Sequence, residues 1–473
     1  MRMPLRLALG LIPMAGWVHA QVPPAPVTNP DPAAGEDPLL LSLIQEALAR
    51  NPDLGQAKVL VDADRERVPQ AKALPDPTLS LGIQNDGFKR IEVGQMETSY
   101  YQVMVTQPLP WPGKRALRGE VAQLGAQATE AAQGRVRLTV EADVRRGYTG
   151  LLLMRSQLRL LEDQAVFLKQ AEATARSRYE VGQGAQADLL RAQLERTRLD
   201  QTRARLQAQE RTALAQLNRL RNAATQAPIP TLRTLEQLPD PKPVAADFLA
   251  KAEAESPELR AARLGIEQSR RNLDLARLDR HPDFSVSAGI MPRGGLEPMW
   301  TASVGITLPL WQKNKQKRAV AEQEFRQTAS GFEVEKVRCL LAQRIQERTS
   351  DLNASLQVLG LYRAGLLVQS EGTFRATLAQ YTVGKLPFVS VLEALNGWVA
   401  DQSGLIQAQA QAQAIQIALL EYNLGPTPDV SASALPGSSM GSGAASAGGS
   451  AMGGAKAGAA PAAGSDSSAS GSM

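Results

Sequence analysis

The chain has 473 residues and a formal net charge of +5, and aromatic residues make up only 4 % of it. Alanine, leucine, glutamine, glutamate and arginine dominate long stretches, which is typical of helical and coiled-coil proteins. Positive and negative side chains are interspersed without the basic patch that nucleic-acid binding requires. We therefore expect a solvated helical surface and no nucleic-acid partner.

The first twenty residues have the pattern of a cleaved export signal. Arg2 and Arg6 supply the positive start, an apolar run covers 7–18, and small residues at 18–20 mark a cleavage site. The apolar run is shorter than the roughly 20 residues that a membrane-spanning helix needs. We expect a mature chain that starts at Gln21 and carries no lipid, because that residue is not a cysteine.

Cysteine and histidine, the residue types most often found in nucleophilic and metal sites, are scarce. Cys339 is the only cysteine, so no intramolecular disulfide can form, and its helical context predicts a packed small hydrophobic side chain. His19 leaves with the signal, and His281, beside Pro282 at a predicted strand start, is then the only histidine. Triads and zinc sites that need several histidines are excluded. We expect no catalytic residue, no metal site, no cofactor and no enzymatic activity.

Both ends of the chain differ in composition from the middle. Residues 21–38 are proline-rich, and residues 426–473 are so rich in glycine, alanine and serine that we predict a disordered tail. The tail methionines, Met440, Met452 and Met473, are of the type that binds a soft metal such as Cu(I), but flexible filler is the simpler interpretation.

The chain repeats itself. RYEVGQGAQADLL at 178–190 resembles QYTVGKLPFVSVL at 380–392, roughly 200 positions later. Further matches follow in the same order: NPDLGQA (51–57) with SPELRAA (256–262), PDPTLSLGI (75–83) with PDFSVSAGI (282–290), QPLPW (107–111) with TLPLW (307–311), and LAQLN (214–218) with LLEYN (419–423). The shared order predicts an internal duplication, with repeats at 39–225 and 251–425 around a proline-rich connector at 226–250.

Two long stretches with almost no proline permit long helices, because proline interrupts a helix interior. They predict one helical hairpin over 113–222 and a second over 313–424. The helix that ends near Arg178 would extend about 100 Å at 1.5 Å per residue. Glycine-containing turns divide the hairpins, at 181–184 in the first and at 383–387 in the second.

Two strand pairs are predicted, at about 77–109 and 283–310, where apolar and small polar residues alternate with period two. Such strands suit a membrane barrel, with apolar side chains towards lipid and hydroxyls towards a water-filled lumen. Ordinary hairpins packed on helices explain the alternation equally well. Trp111, Trp300 and Trp311 lie at predicted strand ends, where they would suit an aromatic girdle at the membrane interface.

Four strands cannot close a membrane barrel, because known barrels use at least about eight. Open sheet edges are not tolerated in lipid. Strands that cross a membrane would therefore require an oligomer, and three copies would supply twelve strands.

From about Leu39 to Gly425 the sequence resembles the TolC-type outer-membrane efflux factors, because the export signal, duplication, strand pairs and Val-Gly turns occur in that family's order. The resemblance implies an α+β membrane protein, a homotrimer whose twelve-stranded outer-membrane β-barrel continues into a long periplasmic α-helical barrel. It also implies a channel without chemistry of its own, located in the bacterial outer membrane with a large periplasmic portion. The implied partners are outer-membrane lipid, a periplasmic adaptor and an inner-membrane pump of the RND type.

Family members meet the adaptor through the hairpin turns, which we call the tips. The resemblance therefore implies adaptor contact at the six residues Val181, Gly182, Gln183, Val383, Gly384 and Lys385. A purely structural role of the glycines in the turns is compatible with this contact.

The resemblance also implies a gate at the tips. Asp188 and Tyr381 match an aspartate and a tyrosine that hold neighbouring helices closed, which a hydrogen bond from phenol to carboxylate can do. Of two acidic positions in the second tip, one is Ser390 here and the other is Glu393, and Leu386 replaces a gate arginine. Three copies of Glu393 around an axis would favour cations, although a solvated helical glutamate explains the residue equally well.

The substrate is left open between several classes. QPLPWPGKR at 107–115 resembles the strand-to-helix junction of family members that serve heavy-metal resistance pumps, which favours metal cations. Multidrug efflux and type I protein secretion would use the same conduit. A periplasmic adaptor, a structural coiled-coil protein and a soluble helical enzyme are less favoured, because the chain has two long helical halves and no constellation of reactive groups.

Overall fold

A computed structural model describes residues 37–231 and 233–426. The predicted export signal, nearly all of the proline-rich segment at 21–38 and the tail methionines lie outside the described residues. In the part that is described, the chain forms long α-helices and a four-stranded antiparallel sheet.

The first half consists of two short helices, two strands and a helical hairpin. Its elements are α1 (Pro38–Arg50), α2 (Pro52–Lys72), β1 (Thr78–Gln84), β2 (Tyr100–Leu109), α3 (Lys114–Glu180) and α4 (Gln186–Leu220). The second half repeats this order after a connector that contains a 3-10 turn, Leu235–Gln237. Its elements are α5 (Phe248–Glu255), α6 (Pro257–Leu278), β3 (Asp283–Arg293), β4 (Leu296–Thr307), α7 (Gln316–Leu361), α8 (Leu367–Thr382) and α9 (Phe388–Leu420).

The repeated sequences start equivalent helices in the same way. The side chain of Asn51 caps α2 and the side chain of Ser256 caps α6, each accepting a backbone N–H of the first turn. Pro52 and Pro257 follow at the first helical position, where a missing N–H costs nothing.

The long helices dominate the molecule. At 67 residues, α3 is about 100 Å long. In the second half, α7 and α8 follow one another from 316 to 382, a stretch of the same length, with a π turn at Tyr362–Leu366 between them. Arg363 in this turn makes a two-pronged ion pair with Asp240 of the connector. No helix among the described residues is both long enough and apolar enough to cross a membrane.

The main core lies along α3, where it packs against α1, α4 and α9. Its most deeply buried side chains include Tyr148, Leu151 and Leu152 of α3, Leu217 of α4 and Phe388 of α9. Because α9 belongs to the second repeat, this core joins the two halves of the chain.

The expectation that Cys339 packs as a small hydrophobe is wrong. Its side chain is exposed on α7, with Sγ 3.7 Å from a carboxylate oxygen of Glu335. Val337 and Leu341 turn their side chains into the interior, so Cys339 lies on the opposite, solvent-facing side of the helix.

The sheet has the order β1-β2-β3-β4 and a register that aligns its apolar residues. Leu81 pairs with Val103, Val103 with Ile290, and Ile290 with Trp300, so one apolar row crosses all four strands. This face is uncovered in the protomer, since Leu81 is 73 % exposed and Trp300 is 79 % exposed.

The opposite face of the sheet carries small side chains. The hydroxyl oxygens of Thr106 and Ser287 lie 2.9 Å apart on neighbouring strands. Gly289 leaves room for the adjacent strand, because a side-chain carbon there would come within 2.8 Å of the carbonyl oxygen of Val103. The alternation in the sequence therefore separates an apolar face from a small and polar one, as predicted.

Candidate functional site

The first tip is a tight turn between α3 and α4. Gly182 has a φ of +74°, in the left-handed region that favours glycine. Its N–H donates to the carbonyl of Tyr179 at 3.0 Å, and the N–H of Gln183 donates to the carbonyl of Arg178 at 2.8 Å. This pair of hydrogen bonds is the Schellman motif, which ends a helix by satisfying its last carbonyls.

The second tip, between α8 and α9, has the same geometry. Gly384 has a φ of +79°. Its N–H donates to the carbonyl of Tyr381 at 2.9 Å, and the N–H of Lys385 donates to the carbonyl of Gln380, also at 2.9 Å. The similar sequences at 178–190 and 380–392 therefore form the same type of turn in the two halves of the chain.

The residues predicted to contact an adaptor form the surface of both tips. Val181 is 66 % exposed and Val383 is 68 % exposed, so each tip presents an apolar side chain to solvent. The complete set is exposed in the protomer and consists of Val181, Gly182, Gln183, Val383, Gly384 and Lys385. Exposed apolar side chains in tight turns are suited to contact another protein.

One side chain joins the two tips. Nη1 of Arg178 donates to the carbonyl of Tyr381 at 2.5 Å, and Nη2 donates to the carbonyl of Gln183 at 3.3 Å. The guanidinium also stacks 4.8 Å from the centre of the Tyr381 ring. Sequence analysis did not identify Arg178. One difference between the two repeats could have pointed to it. Arg178 of the first repeat aligns with Gln380 of the second, whereas the tyrosines that follow them are identical.

The protomer does not form the predicted hydrogen bond between Asp188 and Tyr381. The Tyr381 hydroxyl is buried against Phe388 and has no hydrogen-bond partner among the described residues. Asp188 instead lies 3.8 Å from the guanidinium of Arg191. Burial and, to a smaller extent, the negative charge of Asp188 raise the pKa of Tyr381, whereas the positive charge of Arg178 lowers it.

The remaining gate candidates lie at the start of α9. Ser390 is half-buried, and its N–H donates to the carbonyl of Pro387. Glu393 is exposed and makes no ion pair with the described residues, and Leu386 is half-buried in the turn. In the single protomer, the side chain of Glu393 is therefore not held by another residue of the described chain. Its position is compatible both with the axis of a trimer and with solvent.

At the other end of α3, the three predicted interface tryptophans differ in their surroundings. Trp300 does not lie at a strand end as predicted, because it is the fifth residue of β4 (Leu296–Thr307), where it is 79 % exposed. Trp311 follows the end of β4 and is 76 % exposed. Trp111 is half-buried, with its ring stacked 4.9 Å from His281 and 5.8 Å from Phe284. The single histidine of the described chain is thus a packing partner of Trp111 at the strand-to-helix junction.

The same junction contains a buried ammonium group. Lys114 is 2 % exposed, and its Nζ lies 2.9 Å from Asp283 and 3.2 Å from Asp279. Asp283 also accepts the backbone N–H of Trp111 at 2.7 Å. These contacts join the start of α3 to the end of α6 and the start of β3.

Across 37–231 and 233–426, no group of three or more histidine, cysteine, aspartate or glutamate side chains is arranged to hold a metal ion. The exposed tips lie about 100 Å from the sheet along α3. The described chain thus combines a sheet that has one uncovered apolar face with long helical hairpins that end in exposed tips.

The family model described as outer membrane efflux protein matches residues 43–224 and 248–422, one segment in each half. The chain belongs to this family. Its members are outer-membrane efflux proteins.

Individual relatives agree with this assignment. The nickel and cobalt resistance protein CnrC of Cupriavidus metallidurans is 25 % identical over 317 residues, which cover 65 % of this chain and 69 % of CnrC. The crystal structure of CusC has a TM-score of 0.68 at 21 % identity, over 83 % of this chain and 93 % of CusC. The open MtrE outer membrane channel of Neisseria gonorrhoeae has the same TM-score at 20 % identity, over 82 % of this chain and 89 % of MtrE. The two structural similarities establish the shared fold.

Proposed function

We propose that this protein is the outer-membrane exit duct of a tripartite efflux system. In this proposal it is a homotrimer without a lipid anchor, cleaved after its export signal, and it receives substrate from an inner-membrane pump of the RND type through a periplasmic adaptor. The observation that carries the proposal is the uncovered apolar face of the sheet, which runs in register across all four strands.

A lone copy of this sheet is unsuited to lipid. Its edge strands, β1 and β4, leave backbone N–H and C=O groups without partners, and these groups cannot be left open inside a bilayer. Pairing β4 of one copy with β1 of the next removes both edges. Three copies of the four-stranded sheet give twelve strands, above the minimum of about eight for a closed membrane barrel.

The distance between sheet and tips supports the periplasmic part of the proposal. Because α3 starts within a few residues of β2 and is about 100 Å long, the tips lie far from a membrane that contains the sheet. An adaptor that approaches from the inner membrane meets the tips first. We therefore assign the adaptor contact to the six exposed tip residues described above.

Heavy-metal cations are the substrate class we favour. CnrC is a nickel and cobalt resistance protein, and the junction around Trp111 resembles that of metal-resistance channels. A ring of three Glu393 side chains would add a field that attracts cations. The fold itself does not separate metals from drugs or secreted polypeptides, so the substrate requires its own test.

Fractionation followed by native mass spectrometry tests the proposed assembly. The full chain, expressed in a bacterium with two membranes, is extracted in detergent from separated inner-membrane, outer-membrane and periplasmic fractions. We expect three copies in the outer-membrane fraction, each starting at Gln21 and without attached lipid. A monomer in the soluble periplasmic fraction would contradict the proposal.

A further inference from the structure

The two strand-to-helix junctions occupy equivalent places in the repeats but differ in charge. The second junction, at 308–318, which we call the basic junction, contains four basic residues and no acidic one: Lys313, Lys315, Lys317 and Arg318. All four side chains are exposed, and none of them makes an ion pair or a side-chain hydrogen bond with the described residues. Their charges are therefore left for a partner outside the protomer.

The first junction uses basic residues to hold the protomer together. Lys114 is buried between Asp279 and Asp283, and Nε of Arg115 donates to the carbonyl of Lys72 at 2.8 Å. The same residue types thus point inward at one junction and outward at the other.

Exposed apolar side chains adjoin the charges of the basic junction. Leu308, Leu310 and Trp311 are all more than half exposed and continue the uncovered apolar face of the sheet beyond the end of β4. Trp111, the counterpart of Trp311 in the first repeat, is instead half-buried against His281. A tryptophan between an apolar surface and a basic one suits the boundary between lipid and water.

Backbone hydrogen bonds hold the basic junction in an ordered turn. The carbonyl of Trp311 accepts the N–H of Asn314 at 3.1 Å and that of Lys315 at 3.0 Å, and the carbonyl of Gln312 accepts the N–H of Lys317 at 2.8 Å. The long helix α7 starts within this turn, so the positive end of its dipole lies beside the basic side chains.

The nearest acidic residues along α7 do not neutralise these charges. Glu322 is paired with Arg326 at 2.6 Å, and Glu324 lies 3.8 Å from Arg277 of α6. The basic junction therefore keeps its positive charge in the protomer.

We propose that the basic junction binds the phosphate groups of anionic phospholipids. This inference rests on the proposed function, in which the sheet lies in the outer membrane and the basic junction lies at its periplasmic rim. The four basic side chains contact lipid phosphates, while Trp311 and the two leucines lie against the adjoining acyl chains. Basic clusters beside a membrane-embedded segment attract anionic headgroups, and a trimer would surround its barrel with three such clusters.

The test variant replaces the four basic residues of the basic junction with glutamine. Because their side chains are exposed and without partners in the described chain, the variant should fold as the wild type does. The matched control removes the same charge from α4, α7 and α8, at exposed residues that form ion pairs on the helices: Arg196→Gln, Arg198→Gln, Lys336→Gln and Arg375→Gln.

Native mass spectrometry of full-length trimers in detergent measures lipid binding. The trimers are titrated with phosphatidylglycerol, which is anionic, or with phosphatidylcholine, which is zwitterionic. We expect the wild type and the control to bind phosphatidylglycerol at least tenfold more tightly, because each basic residue near an anionic surface contributes about fivefold in affinity. The test variant should bind the two lipids equally.

Two results would overturn this inference while the proposed function stands: wild-type trimers that bind both lipids equally, or a test variant that keeps the preference. In the second case the charges could serve the next copy instead, where Asp76 precedes β1, and the test variant would then dissociate into monomers at a lower urea concentration than the control. A chain that forms no trimer in the outer membrane contradicts the proposed function and this inference together.

Discussion

Nζ of Lys114 lies 2.9 Å from Oδ1 of Asp283, which joins the first residue of α3 to the first residue of β3 across the boundary between the helices and the sheet. The ammonium is almost completely buried, so the carboxylates of Asp283 and Asp279 replace the water that it has lost. This pair holds the long helix at a fixed angle to the strand beside it.

We predict that Asp283→Asn destabilises the trimer, because it leaves a buried ammonium with one charged partner instead of two. The cost should be about 1–3 kcal/mol per protomer, because the asparagine oxygen can still accept the hydrogen bond but no longer offsets the charge of the buried ammonium. Urea titration of the detergent-solubilised trimer measures it. Asp274→Asn is the control, since its ion pairs with Arg271 and Arg277 lie on the surface of α6 and should contribute below about 1 kcal/mol. Equal losses in the two variants would contradict a special role of the junction.

Two neighbouring residues of β4 test which face of the sheet meets lipid. Val304 lies on the apolar face of the sheet and Ser303 on the small polar face. We predict that Val304→Lys reduces accumulation of trimers in the outer membrane, because a lysine that faces lipid costs up to about 2–4 kcal/mol. Ser303→Lys should insert normally. Quantitative immunoblots of outer-membrane fractions measure both, and normal insertion of Val304→Lys would contradict the assigned face.

The tip should loosen at alkaline pH. The pKa of Tyr381 is raised, chiefly by burial, so as the pH climbs above the usual tyrosine pKa of about 10 the unfolded chain loses this proton before the folded tip does. The stabilisation is complete below that pH and is lost as the pH approaches the raised pKa. Hydrogen exchange at Gly384, corrected for its intrinsic pH dependence, should therefore accelerate in the wild type as the pH rises above about 10.

Tyr381→Phe is the control for this alkaline effect. Because the hydroxyl has no hydrogen-bond partner among the described residues, removing it should leave the tip closed at neutral pH and abolish the acceleration. An alkaline acceleration that persists in Tyr381→Phe would assign the effect to another group.

Bulky residues at both tip glycines should block efflux while preserving trimers. Gly182 and Gly384 have positive φ, where a side chain costs roughly 1–2 kcal/mol, and the new side chains would stand on the proposed adaptor surface. We predict that the double variant Gly182→Val with Gly384→Val fails to restore efflux to a deletion strain. Gly372→Ala, at a helical glycine of α8 with open space around it, is the control that should restore it. Normal efflux through the double valine variant would remove the tips from the adaptor contact.

The elements that the sequence predicts correctly depend on local rules. The turns at Gly182 and Gly384, the long helix α3 and the two faces of the strands follow from glycine placement, scarce proline and period-two alternation. The π turn at 362–366 was not predicted, because no proline or other local signal marks it.

The contacts that the sequence misses join distant parts of the chain. Arg178 meets Tyr381, and Lys114 meets Asp283, only after the two repeats have packed together. Family resemblance placed Tyr381 opposite Asp188, but the protomer directs the carboxylate to Arg191 instead. The wrong prediction for Cys339 has a similar cause. The sequence around it predicts a helix but does not show which face of that helix another element covers.

Substrate accumulation in a deletion strain tests the central claim most directly. Cells that lack this gene, cells with the gene restored and cells with the double valine tip variant are loaded with nickel, cobalt, zinc, cadmium, copper and silver salts and with a panel of drugs, and intracellular content is measured by mass spectrometry. An outer-membrane efflux duct predicts that the deletion strain retains at least one of these compounds several-fold more than the restored strain, with divalent metals foremost, and that the tip variant behaves like the deletion. Equal content of every compound in all three strains would contradict the account.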